Sequence, residues 1–220
     1  MMKLTTKSIV LSTASFGLML GVAQNAQAGR LITGVTISAT SPNLTQNWQL
    51  NNVINGSGLP GNTPSLGATH ALSGSTNAWR TNSGNLPSVA NPLSITFNLG
   101  AVPTDLVGLS FWNITGPSSG VIANTMGVKD ASLEYSTNGS DFSSLWTGSF
   151  TRGTGAPSGP QKIDFSLVKA THVRLNITSN YGQAQRVGFN EIAFESIPEP
   201  SASLALLGLG LAGVGLRKRI

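Results

Sequence analysis

The chain has 220 residues, no cysteine, 26 glycines and only 10% charged side chains. Lys3, Lys7, Arg217, Lys218 and Arg219 place five of its 13 basic residues in the two tails, and setting Glu199 with the tail leaves eight basic against seven acidic residues in the body. A body of about +1 excludes the clustered positive charge that a nucleic-acid interface needs, and the missing cysteines exclude a disulfide-stapled fold.

Residues 1–28 read as a secretory signal peptide. Lys3 and Lys7 form the positive start, Ile9 to Ala23 is an apolar run, and Ala26-Gln27-Ala28 is an A-x-A cleavage site with the cut after Ala28. Such a leader hands the chain to the Sec export machinery and leaves the body outside the cytoplasm. An uncleaved membrane anchor is the alternative.

The body, residues 29–196, shows no helical period. Ile32 to Ser38 alternates and predicts a first strand, while Asn43 to Asn62 has the composition of a loop. In Leu93 to Gly100, the side chains of Leu93, Ile95, Phe97 and Leu99 fall on one face, which is the clearest strand signal in the chain. Leu106 to Ile114 is an apolar run that predicts a strand buried on both sides. Ala131 to Tyr135 predicts a strand ending in Ser136-Thr137-Asn138-Gly139-Ser140, where Asn-Gly marks a hairpin. Ser144 to Phe150 and Gln161 to Leu167 flank a Gly/Pro loop. His172 to Thr178 alternates cleanly, and Val187 to Phe194 resumes with a phase slip beside Gly188 that predicts a bulge. These last two strands are expected to close one sheet over a polar loop. About eight short strands with polar loops predict an all-β protein, a β-sandwich of jelly-roll type.

The order of several short motifs carries a resemblance. Asn52 to Leu59, His70, Asn77-Ala78-Trp79-Arg80, Ile95 to Gly100, Phe111-Trp112-Asn113, Thr125 to Asp130 and Leu133 to Phe142 follow one another as in the discoidin-like domains, also called coagulation factor 5/8 type C or galactose-binding-like domains. The "VRL" strand at Val173 to Leu175 and the Gly188 to Phe194 stretch resemble that family's closing strands. Asn55 and Asn98 stand where the family usually has Asp. The resemblance implies a module that binds sugars, lipids or proteins through loops at one end of the sandwich. Carbohydrate, in the form of the cell's own exopolysaccharide, is the first expectation; a structural matrix or adhesion protein contacting other proteins is the second. The resemblance also implies a structural calcium in the loop Val53 to Leu59, held by Asn55, Ser57 and the late Glu191. The missing Asp charge at position 55 makes weak affinity the expectation. The alternative is that Asn55-Gly56 makes a tight turn and that Glu191 accepts backbone N–H groups.

Residues 197–220 have a different character. Ile197-Pro198-Glu199-Pro200-Ser201 precedes an apolar run from Leu204 to Leu216 and the basic end Arg217-Lys218-Arg219. This resembles the PEP-CTERM sorting signal, whose bearers are processed near the Pro-Glu-Pro by a membrane-embedded exosortase. A helix of the 16 residues from Ser201 to Leu216 would be about 24 Å long against a bilayer core of about 30 Å, a marginal span suited to a transient tether. The basic end predicts a cytoplasmic C-terminus, an inner-membrane-tethered intermediate, and then a cell-surface or extracellular product. Gly208 to Gly213 matches G-x-G-x-x-G, but no strand precedes it and only seven residues follow, so it is read as small packing residues of a membrane segment.

The predicted binding face combines His70, Asn77, Trp79 and Arg80 of the early loop with Asn180, Tyr181 and Arg186 of the late loop. A sugar offers an apolar face and many hydroxyls, which suits an aromatic platform beside Asn and Arg groups. Trp79 has an equal reading as core, and Trp112 is read as packing. Catalysis is not expected: a Ser-His-Asp site needs a His held by a carboxylate, only His70 and His172 exist, His172 reads as a surface or packing residue on a strand face, and Asp130 and Glu134 lie too far apart on a strand for glycoside hydrolysis.

Overall fold

The computed structural model describes residues 29–42, 44, 46–116 and 123–197. Residues 1–28, where a signal peptide is expected, and residues 198–220, including Ala28, Pro198, Glu199, Pro200, Arg217, Lys218 and Arg219, lie outside the described residues.

The described residues form ten strands: β1 (Arg30–Leu31), β2 (Thr36–Thr40), β3 (Trp79–Arg80), β4 (Leu93–Asn98), β5 (Thr104–Asn113), β6 (Asp130–Ser136), β7 (Ser143–Ser149), β8 (Gln161–Ala170), β9 (His172–Ile177) and β10 (Gly188–Ser196). They make two five-stranded antiparallel sheets. One runs β1-β10-β5-β8, with β3 also on β10; the other runs β2-β4-β9-β6-β7. Among the described residues the only helical elements are single 3₁₀ turns.

Alternation places the core. Leu93, Ile95 and Phe97 of β4 face Leu175 and Val173 of β9 and are fully buried. Each such side chain contributes about 1.5–3 kcal/mol. Phe97 meets Phe194 of the opposite sheet with ring centroids 5.4 Å apart, so the two sheets lock through their aromatic residues. The Asn138-Gly139 signal is realised as the turn between β6 and β7, with Gly139 at φ 77°. The phase slip near Gly188 is also realised, as a register shift between Phe189 and Glu191 against β5.

One expectation is corrected. The strands β9 and β10 do not close a single sheet: β9 pairs β4 and β6, whereas β10 pairs β1, β3 and β5. The 178–187 loop therefore crosses from one sheet to the other at the end of the sandwich. A second feature follows from burial. β5 and β10 are covered on both faces, because the loop after Val53 lies over the outer side of their sheet. Leu59, Leu66 and Ala68 of that loop pack on Trp112 and Ala193, and the Trp112 indole N–H donates to the Ala68 carbonyl at 2.9 Å.

Candidate functional site

One end of the sandwich collects the long connections. The antiparallel registers bring the end of β5, the starts of β6, β8 and β10, and the ends of β7 and β9 to the same level. The described parts of the loops 41–78, 81–92 and 114–129, with the loops 150–160 and 178–187, therefore crown this end. The early and late loops of the predicted face both belong to it. They touch where Arg80 pairs Gly188 and where Thr81 N–H donates to the Val187 carbonyl at 2.9 Å. Gly188 permits that approach, since a Cβ there would stand 2.2 Å from the Trp79 carbonyl oxygen.

The seven predicted residues divide into three groups. His70 and Trp79 are core. Trp79 is 0% exposed and edge-on to Phe189, with centroids 5.5 Å apart, so it offers no face to a ligand. His70 is also 0% exposed; its Nδ1 lies 2.8 Å from the Ala71 carbonyl, and burial lowers its pKa. Burying an aromatic under a long loop replaces the platform expected of these two residues with packing. Asn77 and Asn180 are loop braces. Asn77 bonds the Gly74 N–H and the Leu72 carbonyl, while Asn180 donates to the Gln183 and Arg186 carbonyls and accepts the Gly182 N–H. Their amides are spent on the chain itself, as Asx geometry favours. Tyr181 is half-buried and donates its hydroxyl to the Phe150 carbonyl.

Arg80 and Arg186 form the third group, and the fold brings them together. Arg80 pairs Gly188 at the start of β10, and Arg186 lies two residues before it, next to Val187, whose carbonyl accepts the Thr81 N–H and whose N–H donates to the Thr81 hydroxyl. Arg80 donates from Nε and Nη2 to Asn47 Oδ1 at 2.9 and 2.7 Å, and its Cζ lies 4.0 Å from the centre of the Trp48 ring. Burial, and next the nearby Arg186 charge, lower the Arg80 pKa from its ordinary value. Trp48 is the residue the sequence reading missed. Its one signal was a tryptophan set in a run of Asn and Gln.

A groove of about 290 Å³ opens beside this cluster's end of the sandwich, between the end of β5 and the 150–160 loop. Thr115, Thr154, Ser158, Gln161 and Arg152 are among its lining residues, over Phe111. Phe111 is 1% exposed and stacked on Phe150 at 3.7 Å, so it is a floor and not a free platform. Asn113 at the groove's edge is a structural hub. Its side chain donates to the Val128 and Thr151 carbonyls and accepts the Ile114 and Val128 N–H groups. Arg152 reaches Asn124 Oδ1 with one nitrogen at 2.9 Å and is otherwise exposed.

The tail bears a family match. The chain carries a PEP-CTERM protein-sorting motif. The match covers residues 196–219 and indicates an exported, exosortase-processed protein. No curated protein matches the chain. The body has the fold of discoidin-like, galactose-binding-like modules. It is similar to CBM32-3, from a family 31 glycoside hydrolase of Clostridium perfringens, at 15% identity and a TM-score of 0.53, covering 78% of this chain and 97% of that one. It is similar as well to the C-terminal domain of a chitobiase from Bacteroides fragilis, at 15% identity and a TM-score of 0.52, covering 78% and 99%. Among the described residues of this PEP-CTERM chain, no helix is long and apolar enough to cross a membrane.

The discoidin-like sandwich also allows its calcium expectation to be weighed. Glu191 is 0% exposed beneath the early loop, and its Oε1 accepts the Gly56 N–H at 3.0 Å. Its Oε2 is buried without a partner, and burial pushes its pKa up to about 8. That orphan oxygen fits a cation. Asn55 does not join it: Asn55 is exposed, and its Oδ1 accepts the Ser57 N–H at 2.9 Å. Ser57 turns its carbonyl toward His70. Among the described residues no group of three or more His, Asp or Glu could hold a metal. The alternative reading, a tight turn whose N–H is accepted by Glu191, is what the hydrogen bonds display.

The carboxylates raised as a catalytic pair are engaged separately. Asp130 accepts from the Ser149 and Ser179 hydroxyls at 2.6 Å, which hold its pKa down, and Glu134 pairs with Arg174 at 2.7 Å.

Proposed function

We propose that this exosortase-sorted protein binds carbohydrate at the crowned end of its sandwich, and that the ligand is the exopolysaccharide of the producing cell. The observation that carries the reading is the groove between β5 and the 150–160 loop. It is a concave site on a rigid scaffold, with hydroxyl, amide and guanidinium groups converging on one volume. The sorting motif supports it, because an exported protein held briefly at the membrane would meet the polysaccharide during its assembly. The fold supports it too, since modules of this architecture include ones named for carbohydrate binding.

The groups divide the work by chemistry. Thr115, Thr154 and Ser158 exchange hydrogen bonds with sugar hydroxyls, and Arg152 donates from its free edge. Gln161 is partly committed, since its Oε1 accepts the Thr151 N–H at 2.6 Å and so fixes the groove wall. If calcium binds, Glu191 Oε2 and main-chain carbonyls of the early loop would hold it, and its charge would neutralise the buried carboxylate and brace the loop.

A structural matrix protein that contacts other proteins is the second reading. It is favoured by the groove's lack of an exposed aromatic ring. The test is a binding screen of the full chain, in a non-ionic detergent, against soluble polysaccharides. Retention that Arg152→Ala lowers supports the first reading; no retention on any polysaccharide supports the second.

A further inference from the structure

We propose that Arg80 and Arg186 form a docking site for the carboxylate of an acidic sugar, so that the polysaccharide recognised at this end is a uronate polymer. This rests on the carbohydrate reading above and names its ligand class.

Arg80 pairs Gly188, and Thr81 exchanges hydrogen bonds with Val187 next to Arg186, so the two arginines stand on adjoining chain segments, near enough for the Arg186 charge to act on Arg80. Three salt bridges occur among the described residues, Lys129–Asp130, Lys169–Asp105 and Arg174–Glu134, and neither Arg80 nor Arg186 enters any of them. Two like charges brought together at a half-buried site are destabilising unless an anion joins them. The body holds seven acidic side chains, and none pairs with these two arginines. The arrangement is nevertheless built, not loose. Asn47 takes the Nε/Nη2 edge of Arg80, and Trp48 takes its flat face. Neither Asn47 nor Trp48 takes the Arg80 Nη1. Arg186 has its Nε buried with no partner, so its guanidinium is short of an acceptor. Asn180 accepts nothing from Arg186 but ties its carbonyl, which fixes the main chain beneath that side chain.

A carboxylate is the group that answers both arginines. It is planar, accepts two parallel N–H bonds from one guanidinium edge, and still has lone pairs for a second donor. The weak net charge of the body makes the pair a local feature and not a general basic surface. The contact is therefore expected to select polymers by the spacing of their acid groups.

The test uses the full chain in non-ionic detergent with four probes: polygalacturonate, alginate, neutral dextran and dextran sulfate. Wild type is expected to bind one or both uronate polymers, to ignore dextran, and to weaken as salt screens the contact. Arg80→Gln and Arg186→Gln should each lower uronate affinity roughly tenfold, the loss of one charge-assisted hydrogen bond. Arg80 also holds Asn47, so Arg186→Gln is the cleaner variant, and thermal melting that does not fall, or that rises as the like-charge repulsion is relieved, identifies a binding effect. Arg186→Lys should recover part of the affinity, because charge returns without the planar fork. Uronate binding that neither Gln variant changes overturns the proposal and leaves the carbohydrate reading standing at the groove. Binding of dextran sulfate but of neither uronate polymer overturns the carboxylate assignment. Failure to bind any polysaccharide defeats this proposal and the carbohydrate reading together.

Discussion

Trp79→Ala separates packing from recognition at the residue where sequence left both open. The indole is 0% exposed, lies edge-on to Phe189 at 5.5 Å, and sits on a two-residue strand whose pairing with β10 joins the early and late loops. Truncating such a ring removes its buried area and leaves a cavity, a cost of about 3–5 kcal/mol. For a domain of this size each kcal/mol lowers Tm by about 2–4 °C, so a fall of roughly 10 °C is expected. Trp79→Phe should cost far less. It keeps an aromatic against Phe189 and deletes an indole N–H that has no partner in the core, and removing an unsatisfied buried donor recovers about 1–3 kcal/mol. Urea and thermal melts of the full chain in detergent, with polysaccharide retention measured below the transition, decide the matter. A Trp79→Ala protein that melts like wild type but no longer retains polysaccharide would refute the reasoning, because the ring would then be a platform after all.

Three further outcomes follow. Glu191 has its pKa raised from 4.5 to about 8, so the folded state holds a proton that the unfolded state releases. Its stabilising contribution is full below about pH 4.5 and is lost as pH rises toward 8, on the order of 5 kcal/mol across that window; melts in chelator should show this decline in wild type and a flatter curve in Glu191→Gln, and equal slopes would contradict it. Calcium, if the early loop binds it, should raise Tm most near pH 8, where the carboxylate is free of its proton, and identical melts with calcium and with chelator would remove the ion from the account. Intact mass of the surface form should correspond to loss of residues 1–28 and cleavage near Pro198 to Pro200; a species still ending in Arg217-Lys218-Arg219-Ile220 outside the cell would contradict sorting.

Part of the sandwich was legible because strands such as β4, β6 and β9 bury one face. The period of two in β4 and β9 and the Asn138-Gly139 turn are local signals, and the structure keeps them. Sheet membership was not legible: a loop that turns back within a sheet and one that crosses to the other sheet both read as polar residues between two alternating runs. For that reason β9 and β10 appeared as neighbours when they face each other across the core. The proposed binding face was legible only in its location at the loop end. Arg80 and Arg186 stood out as scarce charges beside loops, and the fold joins them. Asn77 and Asn180 could not be told from ligand donors, because an Asn that braces its own turn and one that faces a sugar have the same neighbours in sequence. Trp79 and Trp48 could not be told apart for a similar reason. Which tryptophan goes under the sheet and which props a guanidinium depends on the path of a long loop, and that path leaves no period to read.

The central claim is that carbohydrate is bound at the crowned end of the sandwich. Amide hydrogen exchange of the full chain, with and without the producing cell's exopolysaccharide, tests it most directly. Protection is predicted in the 150–161 and 178–187 segments and around Arg80, with none in the 99–103 and 137–142 turns at the opposite end. Protection confined to that opposite end, or none anywhere while the polysaccharide is retained, would contradict the account.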